Sequence, residues 1–227
     1  MKSAGIIFIT ICSLTSCSEL VHTQLTAPLV TVERDTLSAN GTDYILLTAT
    51  IENQLSTRQS LRFSTTNGEL IVLPVSTASK ESDSSILINP GTTEIQAILK
   101  ASLVPDDHVI LSASVGALTS MHIIRFRRSC PDEVKTDGLK GRLTRNETTD
   151  FNLIFLRDDG RKVSVGTRVD SSVDQDNALE MSATFFSDNA GKAPASIKAL
   201  DSGQFTVTFT DRSGCGLPAF SRQVKIE

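Results

Sequence analysis

Gln204-Phe-Thr-Val-Thr-Phe-Thr210 is the segment of this 227-residue chain that decides its fold most clearly. Phe205, Val207 and Phe209 alternate with threonines, so a β-strand would carry its apolar side chains on one face and its hydroxyls on the other. A shift of one residue would turn the apolar face to solvent, so the register of such a strand is well specified. The same alternation recurs earlier in the chain, in residues 43–52, 60–66, 92–100 and 108–116.

Turn signals separate these segments, and no stretch longer than about ten residues has a strong helical period. Asn67-Gly68 and Asp159-Gly160 are two such turns. Many short strands at this spacing predict antiparallel β-sandwiches. Pro131 would stop strand pairing, and it divides the chain into residues 29–128 and 129–227. Each part has the size of one immunoglobulin-like domain, so the chain is predicted to be all-β, with two tandem immunoglobulin-like sandwiches.

The composition argues against several classes of function. With 22 basic and 26 acidic residues the net charge is −4, which makes nucleic acid an unsuitable partner. The chain has no Trp, one Tyr, three His and no G-x-S-x-G motif. His108 and His122 lie in strand-like segments, where a role as catalytic base is disfavoured. We therefore predict that the protein is not an enzyme and uses no cofactor.

The N-terminus has the features of a secretion signal. The apolar core from Ala4 to Ile11 is too short to cross a bilayer but typical of a signal peptide. It ends in Leu14-Thr-Ser-Cys17, which resembles the lipobox of bacterial lipoproteins. The resemblance implies that residues 1–16 are removed, that Cys17 is lipidated and that residues 17–28 tether the fold to the lipid.

Lipidation would fix the protein to a membrane, because each buried methylene contributes about 0.8 kcal/mol and more than one acyl chain is attached. Ser18, which follows the modified cysteine, implies the outer membrane of a bacterium that has two membranes. The alternative is an ordinary signal peptide that contains a cysteine near its end.

Cleavage would leave an even number of cysteines for disulfide formation. Cys12 would leave with the signal and Cys17 would carry the lipid, so Cys130 and Cys215 remain. In an oxidising compartment these two are expected to form a disulfide across the second domain. The alternative is two free buried thiols.

Residues 29–128 resemble a bacterial immunoglobulin-like domain of the invasin/intimin type. The resemblance is carried, in order, by Ala39-Asn-Gly-Thr42, Leu47-Thr-Ala-Thr-Ile51, Phe63-Ser-Thr-Thr-Asn-Gly-Glu-Leu70, Gly91 before a strand with Ala97 and Leu99, and Val109-Ile-Leu-Ser-Ala-Ser-Val-Gly116. It implies a sandwich used in bacterial surface stalks and adhesins, with no catalytic residues.

The second domain, residues 129–227, is interpreted as a divergent relative of the first. Two strands are predicted around the turn Arg157-Asp-Asp-Gly160, the second of them at Val163-Ser-Val-Gly166. Residues 204–210 and 219–226 are predicted to form a final hairpin, joined by the loop that holds Cys215.

Two clusters of charge are candidates for binding. Asp170, Asp174 and Asp176 place oxygen ligands in one segment, as calcium requires, but their spacing fits no EF-hand and the alternative is a solvated loop. No other metal site is predicted. The basic cluster Arg125, Arg127 and Arg128 lies at the predicted domain junction, where it would form an ion pair with the next domain or meet lipid headgroups.

These features lead to two hypotheses of function. The first is a non-enzymatic, membrane-anchored surface protein that serves in adhesion or as a spacer and binds an unknown protein or glycan, with the second domain as the expected binding domain. The second is an accessory subunit of an envelope complex for polysaccharide capture or secretion, which would pair an exposed strand edge with its partner.

Overall fold

The structure, a computed structural model, describes residues 26–52, 57–75, 78–82, 84–175 and 178–227. The predicted signal peptide, the lipobox with Cys17 and most of the tether lie outside these residues. Within them the regular elements are all β-strands, which confirms the predicted fold class. No helix in the described ranges is long and apolar enough to span a bilayer.

The first sandwich consists of two sheets with strand orders β1-β3-β8-β5 and β2-β10-β9-β4-β7-β6. Its strands are β1 (Leu29–Val32), β2 (Thr36–Ala39), β3 (Tyr44–Thr50), β4 (Gln59–Thr65), β5 (Glu69–Val72), β6 (Ala78–Lys80), β7 (Ser85–Ile88), β8 (Glu94–Lys100), β9 (Asp106–Val115) and β10 (Leu118–Arg128).

The second sandwich has strand orders β11-β13-β17-β15 and β12-β19-β18-β14-β16. Its strands are β11 (Glu133–Asp137), β12 (Arg142–Leu143), β13 (Thr148–Leu156), β14 (Arg168–Val173), β15 (Leu179–Met181), β16 (Thr184–Phe186), β17 (Lys192–Ala199), β18 (Gly203–Asp211) and β19 (Phe220–Ile226).

Both sandwiches begin with the same change of sheet. β1 pairs antiparallel with β3, and the next strand, β2, crosses to the other sheet and pairs in parallel with β10. In the second sandwich β11 pairs antiparallel with β13, and β12 crosses to pair in parallel with β19. In each sandwich, therefore, the described strands cover the outer side of the last strand along only part of its length.

Each sandwich has its own apolar core. Phe63 and Phe126 are fully buried in the first, and Phe205, Val207 and Phe209 are buried in the second. The alternation predicted for residues 204–210 is thus confirmed, and β18 and β19 form the predicted final hairpin. The segment 163–166 is not the strand that was predicted, because it forms part of a loop that bonds to the first sandwich.

Gly68 occupies a turn that no other residue fits. Its φ is +87°, and a Cβ atom there would lie 2.5 Å from the carbonyl oxygen of Lys100 and 3.0 Å from the ring of Phe126. A side chain would therefore combine the strain of a left-handed conformation with a clash against backbone.

We expect Gly68→Ala to lower the free energy of unfolding of the first sandwich by about 3 kcal/mol, with strain and clash adding. Gly116→Ala is the matched control, because Gly116 also has a positive φ (+58°) but a Cβ atom there would meet nothing within 4 Å. The control should lose about 1 kcal/mol. Urea unfolding followed by circular dichroism measures both, and equal losses would contradict the clash.

Candidate binding site

Cys130 and Cys215 form a disulfide with a Cα–Cα distance of 5.5 Å, as predicted from the cysteine count. Cys130 precedes β11 and Cys215 lies in the loop between β18 and β19. The bond therefore ties the start of the second sandwich to its final hairpin, beside the junction of the two sandwiches.

The junction itself is built from buried serine hydroxyls. Ser164 is fully buried, and its backbone N–H donates to the Ser129 carbonyl at 3.0 Å. The Ser129 N–H donates to Ser164 Oγ at 2.7 Å, and that hydroxyl donates to the Ala39 carbonyl of the first sandwich at 2.8 Å. One side chain therefore joins the linker, the second sandwich and the first.

Further hydrogen bonds hold the Ser164 loop in place. The Val165 N–H donates to the Leu103 carbonyl of the first sandwich at 2.9 Å. The hydroxyls of Thr167 and Ser187 donate to the Ser164 carbonyl at 2.9 and 2.8 Å. Domains in one chain move relative to each other by default, and these buried bonds restrict that motion.

The predicted basic cluster does not build this junction. Arg125 and Arg127 are exposed, and among the described residues neither they nor Arg128 form an ion pair. Arg128 Nη1 is buried without a hydrogen-bond partner. Arg157, from the turn after β13, contributes instead by donating from Nη1 to Ser129 Oγ and to the Cys130 carbonyl.

A groove of about 320 Å³ opens next to the disulfide, between the starts of β11 and β19. It lies where β19 has no outer neighbour among the described strands, because β12 pairs with β19 only at Lys225 and Ile226. We name it the β11–β19 groove. Its apolar lining is Val134, Val169, Phe209, Leu217, Pro218 and Phe220, and its charged rim is Asp132, Glu133, Asp211 and Arg222.

The aromatic wall of the groove is ordered by stacking. The rings of Phe209 and Phe220 stack at 5.0 Å between centroids with an interplanar angle of 21°. The Arg222 guanidinium carbon lies 5.7 Å from the Phe220 centroid, and its Nε donates to Thr136 Oγ1 across the groove at 3.3 Å. The groove thus combines an apolar floor with a cation from β19 and carboxylates from other segments.

Asp211 holds the loop that forms one side of the groove. It accepts hydrogen bonds from the Ser213 hydroxyl and from the N–H groups of Ser213 and Leu217. Burial acts to raise the pKa of Asp211, but the hydrogen bonds from Ser213, Leu217 and Gly216 outweigh it and hold the pKa below its ordinary value of 3.8.

This lowered pKa gives a testable acid dependence. The stabilisation from ionised Asp211 is present above its unfolded pKa and is lost as the pH falls through the lower folded value, so wild-type stability declines below about pH 4. Asp211→Asn should lose about 1 kcal/mol at neutral pH and show a shallower decline in acid. Thermal unfolding from pH 2 to 7 measures this. The exposed Asp201→Asn is the control, and identical pH profiles of Asp211→Asn and wild type would contradict the assignment.

The calcium candidates are not brought together as a site among the described residues. Asp170 accepts two hydrogen bonds from Arg168, at 2.9 and 3.0 Å, and one from Thr184, so its carboxylate is already occupied. Asp176 lies outside the described residues. No group of three or more His, Cys, Asp or Glu able to hold a metal occurs in the described ranges.

Sequence reasoning missed both the serine junction and the groove. The groove residues come from β11, β14, β18, β19 and the disulfide loop, so no local motif marks them. The inward position of Arg222, in the same alternation as the buried Val224 and Ile226, is the one sequence signal that could have indicated an opening there.

Comparison with known proteins identifies the fold. No protein-family model and no curated protein matches the chain. The structure of the Yersinia pseudotuberculosis adhesin InvE matches with a TM-score of 0.57 and 15% identity, over 87% of this chain and 58% of that one.

Two further solved structures are similar at lower TM-scores. The C-terminal fragment of intimin, in complex with the intimin-binding domain of the translocated intimin receptor, has a TM-score of 0.36 and 16% identity over 88% of this chain and 64% of that one. The Escherichia coli adhesin FdeC has a TM-score of 0.39 and 12% identity over 89% and 64%. The chain thus spans about six tenths of the length of each of these structures.

The protein has the fold of a tandem immunoglobulin-like β-sandwich. This fold is shared with the adhesin InvE, as expected from the resemblance of residues 29–128 to immunoglobulin-like domains of bacterial adhesins.

Proposed function

We propose that this protein is a lipid-anchored, non-enzymatic binding module of the bacterial cell surface, in which the second sandwich binds a protein ligand through the β11–β19 groove. The observation that carries the proposal is the groove itself, an apolar opening with opposed charges held in shape by the disulfide. The lipobox and the fold shared with the adhesin InvE support the surface location.

The lining of the groove favours one class of ligand. An aliphatic or aromatic side chain would bury against Leu217 and Phe220, where apolar contact is the main source of affinity. The carboxylate of Asp132 would attract a neighbouring lysine or arginine of the ligand, and Arg222 would attract an acidic group. We therefore infer an exposed peptide segment that carries an apolar anchor flanked by charge.

The serine junction gives such a site a fixed direction. Because the second sandwich is bonded to the first through Ser164 and Val165, the groove would keep a fixed position relative to the start of the first sandwich, where the tether would attach. A fixed presentation reduces the ordering cost of binding between two surfaces.

Selection from a random peptide phage library tests the binding proposal. We expect peptides that contain an apolar residue beside a basic one, and Arg222→Glu should change their affinity by about tenfold. Lys225→Glu, on the same strand but outside the groove, is the matched control and should change it less than twofold. Selected peptides that bind all three proteins equally, or no selection at all, would contradict the proposal.

A further inference from the structure

Among the described residues, no strand pairs with the outer edge of β10 over residues 118–124. β2 pairs with β10 only from Arg125 to Arg128, and β9 covers its other side. The Arg125 N–H points outward, since it donates to the Asp35 carbonyl at 2.8 Å. The pairing of β10 with β9 shifts register between Ile124 and Phe126, but the extra residue lies on β9, so the backbone of β10 keeps its alternation in direction. Thr119, Met121 and Ile123 therefore also present their N–H and C=O groups to the open side.

This edge lacks the features that keep other edges unpaired. Residues 118–124 read Leu-Thr-Ser-Met-His-Ile-Ile, without proline, lysine, arginine or an acidic residue. The edge strand β11 carries Glu133, Lys135 and Asp137, and the open part of β19 carries the inward Arg222. Charges and short length are the usual protection against edge pairing, so residues 118–124 are the least protected edge of comparable length in the described chain.

The side chains along the edge are also those of a buried surface. Met121 is 72% exposed and Ile123 is 56% exposed. Ile123 lies directly opposite Ile110 of β9, which is 41% exposed, so the three form one apolar patch on the outer face of the sheet. On the inner side of the same edge, Ser120 Oγ is buried and has no hydrogen-bond partner within the described part of the chain.

We propose that the protein forms a two-fold symmetric dimer by antiparallel pairing of residues 118–124 of β10 with the same residues of a second copy, centred on Met121. Antiparallel pairing about one residue is self-complementary, as an isologous two-fold interface requires. The pairing joins the two six-stranded sheets into one continuous sheet. The dimer goes beyond the proposed function, since it does not involve the groove.

The register follows from the direction of the backbone groups. Residues that point N–H and C=O to the edge must face one another, so Met121 pairs with Met121 of the partner subunit and Thr119 pairs with Ile123 of the partner subunit. This brings the two apolar patches together on one face. On the other face Ser120 lies opposite His122 of the partner subunit, whose imidazole would be a hydrogen-bond partner for a hydroxyl that has none among the described residues.

The proposed β10–β10 interface is small, and its size determines the expected affinity of the dimer. Seven paired residues bury less than the roughly 1,600 Å² of a standard interface, so the dimer should dissociate on dilution. Anchoring of both copies to one membrane would raise their effective concentration and favour the pair.

Sedimentation velocity of the chain from Ser18 to Glu227 over a concentration series tests the dimer, because this chain retains every described residue. We expect a reversible dimer that Met121→Lys weakens at least tenfold, since two lysines would face each other at the two-fold axis. Tyr44→Lys, at another exposed apolar position on the first sandwich, should leave it unchanged. A wild-type chain that stays monomeric at millimolar concentration overturns the proposal.

Disulfide trapping tests the register independently. Met121→Cys should crosslink to itself under mild oxidation, because paired residues lie about 5.5 Å apart between Cα atoms, within disulfide range. Ile123→Cys should not, because its two copies would be about 13 Å apart in this register. A mixture of Ile123→Cys and Thr119→Cys should form the mixed dimer. Equal self-crosslinking of Met121→Cys and Ile123→Cys, or none by Met121→Cys, overturns the proposed register.

Discussion

Replacing Cys130 and Cys215 together by serine is expected to lower the free energy of unfolding of the second sandwich by about 4–5 kcal/mol. The disulfide joins residues 85 positions apart, so its loss frees a long loop in the unfolded chain. Small domains are stable by only about 5–15 kcal/mol in total, so the variant domain should be partly unfolded at 37 °C.

Differential scanning calorimetry is the measurement for the disulfide, since it separates the unfolding transitions of the two sandwiches. The wild-type chain in reducing agent serves as the control and should reproduce the variant. If the free energy of unfolding of the second sandwich in the variant lies within about 1 kcal/mol of the wild-type value, the disulfide contributes little. The groove should be lost with the domain, because the loop that carries Cys215 also supplies Leu217 and Pro218 to its lining.

Ser164→Ala is expected to have the next largest effect and to act on both sandwiches. It removes the acceptor for the buried Ser129 N–H and the donor to the Ala39 carbonyl. Each buried group left without a partner costs about 1–3 kcal/mol, so we expect a loss of about 3 kcal/mol. The sandwiches should also reorient relative to each other, since the lost hydroxyl is bonded to both.

Chemical unfolding and small-angle X-ray scattering measure the two consequences of Ser164→Ala. Ser112→Ala is the control, because its hydroxyl pairs with Ser64 on an exposed face at 2.7 Å and should be worth less than about 0.5 kcal/mol. A Ser164→Ala protein with wild-type stability and an unchanged scattering profile would refute the role given to the junction.

Much of the fold could be predicted because β-strand alternation is local. Residues 204–210 specify β18 by themselves, and the segment 108–116 specifies most of β9. The disulfide was also predictable, since the predicted cleavage and lipidation would leave only Cys130 and Cys215 to pair. The strand predictions depend on a few neighbouring residues, and the disulfide prediction depends on counting cysteines.

The candidate surfaces could not be predicted because they depend on how strands change sheets. Ser164 reads in sequence as part of an alternating strand, and only its placement against Ala39 turns it into a buried bridge. The open edge of residues 118–124 and the β11–β19 groove both arise where a first strand crosses between sheets and leaves the last strand partly uncovered. The charges of Arg125 and Arg127 suggested an ionic junction, but both side chains remain in solvent.

Labelling of a single surface cysteine in intact cells tests most directly whether this is an anchored surface module. Ser202→Cys places a thiol in the exposed turn between β17 and β18. We predict that a membrane-impermeant maleimide labels it in intact cells, that the wild type stays unlabelled because its cysteines are lipidated or paired, and that Cys17→Ala abolishes lipid attachment. Labelling of Ser202→Cys only after the envelope is permeabilised would contradict the account and favour a subunit of an internal envelope complex.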